Sequence, residues 1–404
     1  MAYTYTGKIS PSVGGGLGGM PAKVTGSGTS SYEVGDIHAS VDALPSGTWL
    51  PIDGGTWDDR VSGYLTANLD TAAKITDPTG GSGGRGVSFS PDGIYLAAAT
   101  TSATIDIYKR SGDTFTKLSN PATLPAGNTY SVAFSPDGQY LAVGHSTPSP
   151  FILIYKRNGD TFTALSNPAT LPTSIVYGLS WSPDGTYLAC ATGATPYVLI
   201  YKQSGDTFTK LSDPATLPTG VSQGVCFSPD GNYLAVGHTT TPFVTIYSRS
   251  GDTFTKLSNP ATLPPGASVQ AVSFCNGYLA VGSDATPFVT IYKQSGSTFT
   301  SVGNPPSLPN MTIYGIAFSK DGNYLAVISG ISPYLSAYRR VGDSFVKLTT
   351  LAMPAAGATS VTFSNDNAYL VVGSGSAPVM NIYKGTLPII NYNLPKISRI
   401  KVAL

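Results

Sequence analysis

The chain has 404 residues and a formal net charge of +1, with 11% charged and 41% hydrophobic residues, 46 Gly and 31 Pro. A charge so near zero sets up no field that would draw the molecule to nucleic acid or an acidic membrane, so neither partner is expected. The charged fraction is less than half of the usual quarter or so, and the surface must be built from Ser, Thr, Asn, Gly and Tyr. No apolar run approaches the length that spans a bilayer, which excludes membrane insertion by a helix. The opening MAYTYTGKIS lacks the basic and apolar regions of a signal peptide, so synthesis in the cytoplasm without classical secretion is expected. Cys190, Cys226 and Cys275 are odd in number, form no CxxC, and fall in or beside strands; reduced thiols are predicted.

In chain order, residues 1–31 are dominated by Gly, Ser and Thr and cannot bury enough apolar surface to fold alone. Two readings stay open: a free arm, or an arm that orders against a neighbouring subunit. Residues 32–62 hold Trp49 and Trp57 together with Asp36, Asp42, Asp53, Asp58 and Asp59. Here Gly35-Asp36-Ile37 is followed by Leu44-Pro45-Ser46-Gly47-Thr48-Trp49-Leu50-Pro51, then Asp53-Gly54 and Tyr64-Leu65. This run resembles the tail-collar module of bacteriophage tail fibres, with its Gly-x-Ile opening, Pro-x-Gly-Trp-Leu core, Asp/Asn-Gly turn and later Tyr-Pro-x-Leu. It departs from that pattern at the inserted Thr48, at Ile52 where a Cys often stands, and after Tyr64, where no Pro follows. The resemblance implies attachment to a virion through Trp49, Trp57 and Asp53; the other reading is an ordinary Trp-anchored loop.

Residues 63–384 repeat. An aromatic residue before an SPDG-like turn recurs at Phe89, Phe134, Trp181, Phe227, Phe274, Phe318 and Phe363, with spacings of 45, 47, 46, 47, 44 and 45 residues. Such a period holds four short strands and their turns. In the first strand of each unit small residues (Ser131, Ala133, Ser135; Gly178, Ser180, Ser182) alternate with large ones (Val132, Phe134; Leu179, Trp181). The small face is predicted to lie where seven strands converge, as at a central channel, and the large face between neighbouring sheets. In SPDG, Pro sets φ, Asp bonds its own backbone and Gly supplies positive φ. The fifth copy has a shorter Asn276-Gly277 turn, and the seventh puts Asn367 where Gly is expected; both residue choices suit the left-handed region.

Four antiparallel strands repeated seven times predict an all-β fold, a seven-bladed β-propeller. The pattern FSPDGxYLAVG followed by xIY resembles the WD-repeat and lactonase-like propellers over about four fifths of the chain, from Gly63 to Lys384. The Trp-Asp that names the WD family is replaced by Tyr108-Lys109, Tyr155-Lys156 and Tyr201-Lys202, so that family's buried polar network is not expected to carry over. The seventh copy supplies only three strands. Leu65 to Pro78 aligns with the fourth strand of the other copies, and residues 63–77 are predicted to close the last blade from outside.

Against a scaffold so uniform that residues 111–125 recur identically at 250–264, variable positions are candidates for recognition. One set enters the first strands: Arg85, Tyr130, Tyr177, Gln223, Gln270, Tyr314 and Thr359. A second lies in the loops before the third strands, with His145, Tyr197, His238, Phe243 and Tyr334. Alternation puts both sets on one face, suited to protein or carbohydrate, or merely solvated. The opposite face carries Asp92, Asp137, Asp184, Asp230 and Asp321 in one ring and Asp113, Asp160, Asp206, Asp252 and Asp343 in another. Each is explained by its turn, and calcium-loop spacing is missing.

Neither a catalytic constellation nor a metal or cofactor site is expected. The three His have no ligand spacing, no glycine-rich phosphate loop follows a strand, and Glu33 is the single Glu. The tail, residues 385–404, is apolar and then basic, with Lys396, Arg399 and Lys401. The first expectation is a non-enzymatic structural or adsorption protein of a tailed phage virion. It would meet other virion proteins through residues 1–62 and 385–404, and a host glycan or protein through the propeller. The alternatives are a cellular WD-like interaction scaffold and an Asp-based propeller enzyme.

Overall fold

The computed structural model describes residues 68–386 except for positions 79–80, 82–83, 267, 306, 310, 350, 352–353, 355–356 and 376–378, together with two short strands nearer the N-terminus. The chain divides into two units, Ala67–Thr386 and the remainder, residues 1–66 with 387–404. In the second of these, Asp36 lies opposite Pro51 and Ile37 opposite Leu50, so Asp36–Ile37 and Leu50–Pro51 of the N-terminal motif form one antiparallel ladder. Trp49, Asp53 and Trp57 lie outside the described residues.

Ala67–Thr386 is a seven-bladed propeller, all-β throughout its described residues. Blade 1 comprises Gly86–Phe89, Tyr95–Ala99, Ile105–Ser111 and Thr114–Lys117. Blades 2 to 6 repeat this antiparallel meander from Thr129, Val176, Ser222, Val269 and Ile313. Blade 7 takes three strands from Ala358–Thr386 and its outer strand from Asn68–Lys74, so the sheet is completed by the start of the chain as expected. Ile75 N–H then bonds Ile382 C=O at 2.9 Å. Each first strand packs on the next one around the ring, and that of blade 7 packs on that of blade 1.

The apolar core is seven cores, each shared by two successive blades. Between blades 1 and 2, for example, Tyr95, Ala97 and Ile107 meet Val132, Phe134, Leu141 and Val143. The large face of the first strand therefore packs between sheets, as the alternation implied. The small face does something more specific than line a channel. A Cβ on Gly178 would lie 2.7 Å from Gln223 C=O, and one on Gly224 2.9 Å from Gln270 C=O. Small residues let adjacent inner strands approach to backbone contact. On the same face Ser88, Ser180 and Ser273 Oγ accept the N–H of Phe134, Phe227 and Phe318 in the following blade, at 3.0–3.2 Å.

The turns follow their chemistry. Ser135 Oγ donates to Asp137 at 2.5 Å and Asp137 accepts Gln139 N–H at 3.0 Å, while Gly138 holds φ +67° and Asn367 φ +56°. The residues replacing Trp-Asp take two separate jobs. All seven Tyr of the third strands are fully buried, and in Tyr155, Tyr201, Tyr247 and Tyr292 the hydroxyl donates to a loop carbonyl (Thr123, Thr170, Thr216, Thr262) at 2.8–2.9 Å.

The Lys that follows reaches across to the next blade. Lys156 and Tyr140 both bind Asp206, at 2.8 and 2.6 Å, and hold its carboxyl below the usual range. The same clasp recurs at Asp160, Asp252, Asp343 and Asp113, through Lys109, Lys202, Lys293 and Lys384. The second Asp ring, attributed from the sequence to turn chemistry alone, is thus a set of inter-blade ties.

His145 and His238 do not belong to an exposed surface, contrary to expectation. In blades 2, 4, 5 and 7 the second strand runs one residue past the glycine that seemed to end it and closes on buried His145, His238, Ser283 or Ser374. Buried Thr192 and Ser329 end the second strands of blades 3 and 6, and buried Thr100 directly follows that of blade 1. His238 is 0% exposed, with Nε2 2.9 Å from Thr245 Oγ1, and desolvation pulls its pKa down to about 4.

Three outcomes follow. Leu69 of the closing strand is fully buried in the core between blades 6 and 7; Leu69→Ala is expected to cost about 3 kcal/mol in denaturant unfolding. Removal of residues 63–77 should give early melting or aggregation, and unchanged melting would refute the closure. Between pH 6.5 and about 4 the unfolded His238 binds a proton that the folded one refuses, so stability falls as pH falls through that window. Replacing His238 by Ser, the residue at positions 283, 329 and 374, should remove about 2 kcal/mol of the loss between pH 7 and 4.5, read from urea midpoints at each pH.

Candidate interaction face

Six of the seven variable residues that enter the first strands are the extra residue of a β-bulge. The register between first and second strand slips around Tyr130, Tyr177, Gln223, Gln270, Tyr314 and Thr359, one in each of blades 2 to 7. Arg85, with its N–H on Ala99 C=O at 2.8 Å, holds the same position in blade 1. A bulged residue has no opposite partner in the ladder, and the bulge re-aims its side chain. The flanking residues stay fixed by packing. Variation is therefore free at this one position of an otherwise constrained strand.

The seven positions form a belt, and its first three members touch in succession. The Arg85 guanidinium sits 4.7 Å from the Tyr130 ring centroid, a cation–π contact, and Tyr130 meets Tyr177 edge-on at 5.3 Å. Burial, with Tyr130 beside it, pushes the Tyr177 hydroxyl pKa up. Gln223 Oε1 accepts from Ser268 Oγ at 3.1 Å, and Thr359 Oγ1 donates to Gly84 C=O at 2.6 Å. Tyr314 is the most open member, 43% exposed; Arg85, Tyr130, Tyr177, Gln223 and Gln270 are half-buried.

The second set of loops shares this face, as expected. Gly193 N–H bonds Ile175 C=O and Thr239 N–H bonds Val221 C=O, both at 3.1 Å, tying each loop to the start of its own first strand. The loops are tight turns with a cis proline at the third position, Pro196 or Pro242, closed by Tyr197 N–H on Ala194 C=O and Phe243 N–H on Thr240 C=O at 2.7 Å. Tyr197 and Phe243 hold φ +65°, uncommon for bulky residues. Phe243 and Tyr334 lean on inter-blade cores and present only part of their rings. The structure thus brings Arg85, Tyr130 and Tyr177 into contact, gathers Tyr197, Phe243 and Tyr334 on the same face, and withdraws His145 and His238.

A cavity of about 410 Å³ lies away from the belt, between Leu118–Thr123 and Asp160–Ala164. Among the described residues no three His, Cys, Asp or Glu are grouped to hold a metal ion. Burial pushes the Cys226 and Cys275 thiols up to about 11, and all three cysteines are free.

The family model described as "WD domain, G-beta repeat" matches residues 122–147 and 167–198. No curated protein matches the sequence. Three solved structures share the architecture at low identity. A chain of "Crystal Structure of Mitotic Checkpoint Complex" is 16% identical, with 78% of this chain and 96% of that chain covered and a TM-score of 0.59. "Structure of U3-55K" is 14% identical, covering 79% and 99%, with a TM-score of 0.61. "Crystal structure of RRP9 WD40 repeats" is also 14% identical, covering 79% and 98%, with a TM-score of 0.61. The collar resemblance of residues 32–62 has no counterpart among these matches. Two segments of the chain match the WD-repeat model, and the chain folds as a seven-bladed β-propeller.

Proposed function

We propose that this propeller is a non-enzymatic interaction scaffold of the cellular WD type, and that its bulge belt receives a segment of a partner protein. The observation that carries this reading is the placement of sequence variation. Tyr130, Tyr177, Gln223, Gln270, Tyr314 and Thr359 vary where a bulge frees them, while the strands around them repeat. Tyr and Arg supply large contact area with a polar tip, the chemistry that dominates protein–protein hot spots. One similar propeller comes from a structure of the Mitotic Checkpoint Complex, an assembly of the kind this reading expects. The virion reading rests on residues 32–62, and no observation on the propeller favours it.

The test is site-specific photo-crosslinking in the cells that make the protein. A benzophenone amino acid at Tyr177 should give discrete protein adducts, whereas one at Ile94, 39% exposed on the turn face, should not give the same ones. With the crosslinked partner purified, Tyr130→Ala is expected to weaken binding by about thirty-fold, the loss of one aromatic hot spot. Identical adducts from both positions, or adducts only with glycan, would overturn the assignment.

A further inference from the structure

On the opposite face the repeats show what an inter-blade junction normally contains. Arg157 of blade 2 lies over the Tyr95 ring of blade 1 at 4.8 Å, reaches Asp92 at 3.2 Å, and donates from Nε to Gly138 C=O at 2.8 Å. Arg249 does the same to Tyr187 and Asp184, at 4.9 and 3.0 Å, and Arg110 to Tyr369 and Asp366, at 4.8 and 3.5 Å. Arg340 lies 4.9 Å from the Tyr278 centroid. Each junction is a seat for one guanidinium, made of an aromatic face and, in three of four cases, a carboxylate.

The junction between blades 4 and 5 keeps the seat and lacks the occupant. Tyr233 and Asp230 are in place, but Gln294 stands where Arg is found, and its amide turns back to Gly296 C=O at 3.3 Å. The neighbouring clasp is missing as well: Ser248 replaces its Lys and Ser297 its Asp. The blade 5 turn is the shortened Asn276-Gly277. Asp230 accepts hydrogen bonds from Ser228 Oγ and from Asn232 N–H and Nδ2, and has no cation partner among the described residues.

The consequence is visible in burial. Six of the seven tyrosines that open the second strands are 4–6% exposed, whereas Tyr233 is half-buried. At the same junction a notch of about 370 Å³ is lined by Ser228, Pro229, Asp230, Asn276, Gly277, Gln294 and Gly296, with Tyr233 three residues on from Asp230 at the start of the following strand. The junction of blades 2 and 3 also has a Gln, Gln203, but there Asp206 and Lys156 still hold Tyr140, which stays 4% exposed.

We propose that the notch between blades 4 and 5 is a binding site for an arginine side chain presented by a peptide segment of another protein. The guest guanidinium would lie on the Tyr233 ring and pair with the Asp230 carboxylate, with the Asn276 and Gln294 amides beside it. Arginine is favoured over lysine because a planar guanidinium both stacks on a ring and forks to a carboxylate. The site lies on the other face from the bulge belt and does not depend on what the belt binds.

The test uses the full chain, 15N-labelled, titrated with acetyl-Gly-Arg-Gly-amide and with its Lys and Leu counterparts. The side-chain amide resonances of Asn276 and Gln294 should shift saturably with the Arg peptide, at least ten-fold more weakly with Lys, and not with Leu. Asp230→Asn should weaken the Arg response about ten-fold. Gln294→Arg fills the notch with the residue that four other junctions already carry, so it should fold, raise the melting temperature and abolish the response. Equal responses to Lys and Arg, shifts confined to other residues, or a folded Gln294→Arg protein that still binds the peptide would each overturn the proposal.

Discussion

Every blade of this molecule has two apolar faces and therefore cannot exist alone. Val132, Phe134, Leu141 and Val143 of blade 2 are buried by blade 1, whereas Tyr140, Ala142, Ile152 and Ile154 of the same blade are buried by blade 3. Burial is complete only when the ring is, because any open end would leave one full sheet face in water. This is why the closing strand matters out of proportion to its seven residues. Ala72 aligns with the Phe of the other outer strands, and Leu69 and Leu351, in the same core, supply apolar volume that Ala72 lacks.

The same demand explains how the repeat distributes its polar residues. Inner strands approach so closely that only small side chains fit between them, and the serines among those side chains bond the next blade's N–H groups. At the rim, where solvent enters, Tyr hydroxyl, Lys ammonium and Asp carboxylate tie blade to blade. Ion pairs this exposed contribute little individually. Their tyrosine is another matter, since its ring packs edge-on against the outer-strand Phe of the next blade, as Tyr140 does on Phe208 at 5.8 Å. The clasp orients a ring whose burial stabilises the junction.

Much of this was legible in the sequence because the repeat is its own comparison. The period, the turn residues, the conformational needs of Gly138 and Asn367 and the borrowed outer strand all rest on local chemistry or on alignment of one copy with another. The errors arose where a side chain's environment depends on strand length or on a partner some fifty residues away. His145 and His238 follow a glycine that looked like a strand end, yet Gly144 and Gly237 are glycines because the next blade's Val176 and Val269 press on them. The strand simply continues to the His. The bulges were invisible, since nothing in Tyr130 or Gln223 announces a slipped register. The clasp did leave a trace: Lys and Asp are lost together at Ser248 and Ser297, the two ends of one missing tie.

That joint loss shows how such a ring can acquire function without losing its fold. A residue inside a strand is answerable to the inter-blade core its side chain enters, and replacing it disturbs the packing of two blades against each other. A bulged residue answers to neither ladder partner nor core, so the belt can change chemistry from Arg to Tyr to Gln within three blades of each other at no cost to the sheets. A junction is intermediate: it tolerates the loss of its cation only if the residue tied by that cation has other support. Tyr140 keeps its support and stays buried; Tyr233 has lost both and is only partly buried. Sites on this propeller should therefore arise in two places, where the register slips and where a junction is left unfilled, and the physical difference between them is that the first is open by geometry and the second by subtraction.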